Sequence, residues 1–190
     1  MVTKHYFIKY ILRIKDEELF KKVEKMSFIE TFKNGDEINK HGKQDVYVRF
    51  LVNGLVRGYL TNDQGKENTT CFLVEPGEVI AGSMLLDGTA SEICFKAIKE
   101  TNVFSIPLEP LMALRRDYYE INDIYIAFLS KWVLNHWETK KMLYLKTAHD
   151  KYNWFLEKYP NLIDCVPLKE VASFLNITPV SLSRIRGGRQ

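Results

Sequence analysis

The chain has 190 residues, 46% of them hydrophobic, enough to bury the core of one large domain or two small ones. Its 27 Lys and Arg stand against 24 Asp and Glu, and a formal net charge of +3 by itself indicates no polyanionic partner. Apolar runs never approach the roughly 18 residues of a membrane span, and Lys9 and Arg13 interrupt the opening MVTKHYFIKYILRI as they would not in a secretory signal.

Ile8, Ile11, Leu12, Leu19, Phe20 and Val23 lie near helical spacing and predict one or two short helices, broken around Lys15 and Asp16. From Phe28 to Ile106 short β-branched and aromatic stretches alternate with turn chemistry: KNGDEI at 33–38, VNGLV at 52–56, TNDQGK at 61–66, EPGEV at 75–79 and LDGTA at 86–90. Turn signals about every ten residues predict about eight short strands of a β sandwich or barrel. Cys71, Cys94 and Cys165 are odd in number and set among apolar residues, which reads as small buried hydrophobes in a reduced cytoplasm.

After Pro107 the pattern becomes helical. Pro110 suits a first turn, and Leu111 to Ala148 contains neither Pro nor Gly. Ile121, Tyr125, Phe128 and Trp132 form one apolar stripe, with Ile126, Leu129, Val133, His136 and Leu143 beside it. Two stripes need two surfaces: the β region, and the same helix of a second subunit packed as a coiled coil. The alternative is a helix buried within a monomer. His136 and the three tryptophans read as packing residues.

The excess charge is concentrated at the end. From Val166 to Gln190, Lys169, Arg184, Arg186 and Arg189 face Glu170 alone. Leu168, Val171, Ala172 and Leu175 give a short one-faced helix, and Asn176 tolerates the left-handed conformation that ends it. Thr178 can cap a second helix with Pro179 at its first position, continued by Val180, Leu182 and Ile185. This is a helix-turn-helix pattern, with small Ala172 at the crossing. Its second helix would present Thr178, Ser181, Ser183 and Arg184 outward, with Arg186 and Arg189 just beyond, a set able to meet phosphates and base edges.

A β-rich region, a long helix and a terminal helix-turn-helix, in that order, resemble the Crp/Fnr superfamily of catabolite activator and anaerobic regulators. The best carriers are GEVIAGSMLLDG at 77–88 and VPLKEVASFLNITPVSLSRIR at 166–186. The resemblance implies an α+β fold: an N-terminal double-stranded β-helix (a cyclic-nucleotide-binding-like jelly roll) over 1–110, a dimerisation helix over 111–146 and a DNA-binding domain over 147–190. It implies a ligand pocket at Gly77, Glu78, Ile80, Gly82, Ser83, Met84, Ser91 and Glu92, and dimer contacts at Ile121, Tyr125, Phe128 and Trp132. For DNA it implies Lys169, Thr178, Pro179, Ser181, Ser183, Arg184, Arg186 and Arg189, with Arg184 at the family's DNA-reading Arg and Thr178 at its phosphate-meeting hydroxyl.

Departures bear on mechanism. Pro179 and Val180 stand where the catabolite activator has an Arg and a Glu, so its target sequence is not inherited. Gly82 and Ser91 stand where cyclic AMP binders carry the ribose-binding Glu and phosphate-binding Arg, so cyclic AMP is expected to bind weakly or not at all. The clustered N-terminal cysteines of iron-sulfur sensors are absent. The expectation is a cytoplasmic homodimer that reads a near-palindromic double-stranded DNA operator, acts on RNA polymerase, and senses an unidentified small molecule or none, with no catalytic residue, metal set or cofactor. One alternative is a β-barrel sensor whose tail meets a protein partner. The other is a cupin-like enzyme, for whose clustered metal ligands the β region offers only His41.

Overall fold

The computed structural model describes residues 2–39, 42–43, 46–81 and 92–188. The expected pocket residues Gly82, Ser83, Met84 and Ser91, together with His41 and Arg189, lie outside the described residues. Two compact units form: Met1–Gly58 with Phe72–Leu129, and Tyr59–Cys71 with Ser130–Gln190.

In the first unit, α1 (Lys4–Tyr6) runs into a π-helical stretch, Phe7–Leu12. Arg13 ends it at a left-handed φ of 60°, and the Asp16 carboxylate accepts the Leu19 N–H at 2.8 Å to cap α2 (Glu17–Met26). The helical break thus falls where the spacing placed it.

Six strands follow among the described residues: β1 (Phe28–Phe32), β2 (Tyr47–Asn53), β3 (Val56–Thr61), β4 (Glu67–Leu73), β5 (Cys94–Ala97) and β6 (Thr101–Pro107). About eight were expected; Glu37–Lys96 and Phe50–Val79 make only isolated bridges outside the ladders. The strands form two three-stranded sheets, β1–β6–β2 and β4–β3–β5, the first antiparallel throughout. Alternation gives one face of the first sheet Val48, Phe50, Val52, Phe104 and Ile106, which bury against Phe7, Ile8, Leu12, Leu19 and Val23 of the N-terminal helices. Phe7 stacks on Phe104 with centroids 4.6 Å apart.

The helix expected over 111–146 is two helices, α3 (Leu108–Leu114) and α4 (Glu120–Leu145). No Pro or Gly breaks it; tertiary partners do. Lys22 donates to the Tyr118 hydroxyl at 2.9 Å and lies over its ring. The Glu120 carboxylate accepts the backbone N–H groups of Lys15 at 2.7 Å and Asp16 at 3.1 Å, and Arg115 donates to Asn122. The bonds of Tyr118 and Glu120 tie the turn at 115–119 to α2 and the residues just before it.

The faces of α4 also differ from expectation. Ile121 is buried in the first unit's core, and the half-buried Phe128 packs on Phe50 at 5.2 Å, so both have partners within that unit. Tyr125 is half-buried, while Trp132 is exposed and stacks on His136 at 5.4 Å. The other exposed large apolar residues of α4 are Ile126, Val133, Leu134, Trp137, Tyr144 and Leu145.

The second unit contains the tip of the β3–β4 hairpin, the distal part of α4, and α5 (Ala148–Lys158), α6 (Leu162–Cys165), α7 (Leu168–Phe174) and α8 (Pro179–Arg186). Thr147 and Asp150 form a reciprocal capping box at the start of α5. Tyr59, Phe155, Tyr159, Leu162, Val166, Val171, Ala172, Phe174, Leu175 and Leu182 are its buried apolar residues among those described. Trp154 stacks on Phe174, and Lys158 lies over the Trp154 ring while its ammonium reaches Glu138 at 2.7 Å. Of the cysteines only Cys94 is buried; Cys71 is half-buried and Cys165, at the end of the one-turn α6, is exposed.

Candidate nucleic-acid interface

The turn from α7 to α8 is built by residue type. Asn176 takes a left-handed φ of 51°, and the N–H groups of Asn176 and Ile177 return to the carbonyls of Ser173 and Ala172. Thr178 then caps α8: its Oγ1 accepts the Ser181 N–H at 3.0 Å and lies 2.8 Å from the Ser181 hydroxyl. Pro179 occupies the first helical position, where no N–H is needed. Ala172 and Leu182 are fully buried, so α7 and α8 approach over a small residue and are pinned by a large one.

This geometry leaves Thr178, Pro179, Val180, Ser183, Arg184 and Arg186 exposed on α8, with Ser181 half-buried against its cap. Lys169 is exposed in the first turn of α7. Arg184 and Arg186 fall in the last turn of α8, where cations also complement the helix dipole, so their position is favourable without any ligand. The outer surface of α8 therefore combines hydroxyls at its start, an apolar Val180 and two guanidiniums at its end. Such a set can accept phosphate contacts, read guanine edges through Arg and meet a thymine methyl through Val.

In the β region the segment expected to line a ligand pocket runs along β2. Gly77 N–H donates to Leu51 O, Leu51 N–H to Glu78 O, and Ile80 N–H to Arg49 O, all between 2.8 and 2.9 Å. Gly77 has a φ of 88°, and a Cβ there would press on Ile11. The Glu78 carboxylate accepts the N–H groups of Val74 and Glu75 at 2.7 and 2.8 Å, which shapes the preceding turn. Ile80 is buried and Glu92 exposed.

Beside this segment lies a polar cluster that the sequence reading did not single out. Arg49 Nε is 3.6 Å from Glu30 Oε1, its guanidinium lies 5.0 Å from the Tyr47 ring centroid, and the fully buried Ser105 donates to Glu30 at 2.5 Å. Strand alternation could have found it: Arg49 falls between Val48 and Phe50, on the face opposite the apolar one. Among the described residues no three His, Cys, Asp or Glu side chains are grouped to hold a metal ion, and no helix is long and apolar enough to cross a membrane.

Residues 29–118 match the family of the cyclic nucleotide-binding domain. FixK2 of Bradyrhizobium japonicum superposes with a TM-score of 0.74 at 19% identity, over 85% of this chain and 83% of that one. The c-di-GMP-responsive global regulator CLP of Xanthomonas campestris gives 0.73 at 14% identity, over 91% of each chain. A transcriptional regulator of the Crp/Fnr family from Eubacterium rectale gives 0.73 at 14% identity, over 93% of this chain and 84% of that one. The chain shares the fold of these solved structures. Patatin-like phospholipase domain-containing protein 7 of Rattus norvegicus is 31% identical over 72 residues, 38% of this chain, and the chain spans about one-twentieth (5%) of that curated relative's length. The region matched by the cyclic nucleotide-binding domain holds the Glu30–Arg49–Ser105 cluster and the Gly77–Ile80 segment, while α7 and α8 lie beyond it.

Proposed function

We propose that this chain is a homodimeric, sequence-specific DNA-binding transcription regulator of the Crp/Fnr type, a binding protein rather than an enzyme. Its α7–α8 pair is the helix-turn-helix, and α8 enters the major groove with Thr178, Ser183, Arg184 and Arg186 toward the DNA. The observation that carries this reading is the outer surface of α8: a capped, proline-started helix whose hydroxyls and guanidiniums are exposed while Leu182 alone is fully buried. Lys169 and Arg189 add phosphate contacts, and RNA polymerase receives the output. The exposed residues Ile126, Val133 and Trp137 of α4 are spaced seven and four apart, a coiled-coil seam that a second copy would cover. The β region senses a small molecule other than cyclic AMP, or none, with Gly77, Glu78, Ile80, Gly82, Ser83, Met84, Ser91 and Glu92 as its expected pocket.

Equilibrium titration with duplex DNA over a range of salt tests the reading. Contacts to several phosphates make affinity fall by orders of magnitude between about 50 and 200 mM salt. A flat salt dependence, or no duplex binding, would turn the tail toward a protein partner, for which the exposed Val180 would be the apolar contact.

A further inference from the structure

The β3–β4 hairpin belongs at its tip, Tyr59–Cys71, to the same compact unit as α7 and α8. Its turn is tightly self-bonded: Asn62 N–H donates to Lys66 O at 3.0 Å, and the Asn62 side chain accepts the N–H groups of Gln64 and Lys66. Residues 60–66 and 68 are exposed, yet Tyr59 of β3 and Thr69 of β4 are only 3% and 6% exposed. β4 is the edge of its sheet, so alternate N–H groups along it point away from β3. One of these is used: Thr69 N–H donates to Ser173 Oγ of α7 at 3.0 Å. A helical serine ordinarily bonds back to its own preceding turn. Ser173 instead accepts from a strand edge about a hundred residues away in sequence (|i−j| = 104), between the buried Ala172 and Phe174.

We propose that Ser173 is a positioning residue: by accepting the Thr69 amide it seats the α7–α8 pair on the hairpin tip and so fixes how α8 is presented to DNA. The proposal rests on the DNA-binding reading. Its direction follows from exposure. With the hairpin on α7, Thr178, Ser183, Arg184 and Arg186 remain exposed, so the seated arrangement is compatible with DNA contact and pre-organises it.

The test uses the full chain and three variants. Ser173→Ala removes the acceptor, Ser173→Thr keeps a hydroxyl, and Thr69→Pro removes the donor on an edge strand, where proline is best tolerated. Ser173→Ala is expected to speed exchange of the Thr69 amide at least about tenfold while the Phe155 and Leu182 amides keep their protection. Affinity for a selected duplex is expected to fall about three- to tenfold in Ser173→Ala and Thr69→Pro, as the net loss of one hydrogen bond allows. Ser173→Thr should restore it, and the double variant Ser173→Ala/Thr69→Pro should lose no more than either single change. Unchanged Thr69 exchange, or fully additive losses, with duplex binding intact would overturn the proposal alone. Failure of the unaltered chain to bind any duplex would overturn the DNA-binding reading and the role of Ser173 with it.

Discussion

Replacing Leu182 by Ala tests how α8 is held. Leu182 is the one fully buried side chain of an eight-residue helix whose other residues are half-buried or exposed. Truncation removes its transfer free energy and leaves a void against the α5–α7 core, a loss of about 2–5 kcal/mol for a buried leucine. In a unit of roughly 60–100 residues each kcal/mol moves the melting temperature by about 4–8 °C, so the shift should be at least about 8 °C. The assay is already in the sequence: all three tryptophans, Trp132, Trp137 and Trp154, lie in the second unit, so tryptophan fluorescence follows its unfolding. Val180→Ala, at a residue 60% exposed on the same helix, is the control and should change stability by less than about 0.5 kcal/mol. A Leu182→Ala shift of under about 2 °C, or one no larger than that of Val180→Ala, would refute the claim that Leu182 anchors α8.

Arg184→Ala should cost about 1–3 kcal/mol of binding to a preferred duplex and relax the base preference, whereas Arg186→Ala should weaken all duplexes alike; competition titrations with mutated sites separate the two. Val133→Glu, placing a carboxylate in the exposed seam of α4, should convert a dimer to monomer in sedimentation experiments without lowering the melting temperature of the monomer. Acid should destabilise the second unit. The Glu138 carboxyl is held below its ordinary range by the hydrogen bond from Lys158, and that of Asp150 by hydrogen bonds from Thr147. A depressed folded value stabilises above the unfolded one and is lost as pH falls through it, so the fluorescence melting temperature should hold from pH 7 to about 5 and decline below about 4. Glu138→Gln should flatten part of that decline.

What could be read in the sequence was local. Thr178 and Pro179 at the start of α8, Asn176 at the left-handed turn and Ala172 at the crossing act through backbone chemistry within a few residues, and each adopts the conformation its type favours. What escaped was set by residues far apart in the chain. Tyr118 and Glu120 break a helix that has every local reason to continue, because their partners Lys22, Lys15 and Asp16 come from α2 and its approach. Ile121 and Phe128 look the same in sequence as Val133 and Trp137; packing against the first unit's core buries Ile121 and half-buries Phe128, while the other two stay exposed. The candidate site divides the same way. The outer residues of α8 follow from helical periodicity, whereas the seating of Ser173 on the Thr69 amide depends on a strand edge that no periodicity announces.

The central claim is that two copies of α8 read DNA together. Selection of bound duplexes from a random pool at physiological salt addresses it most directly. The account predicts enrichment of a two-fold-symmetric motif with half-sites about one helical turn, roughly 34 Å, apart. Recovery of no motif, or of a single asymmetric element bound by a monomer, would contradict it.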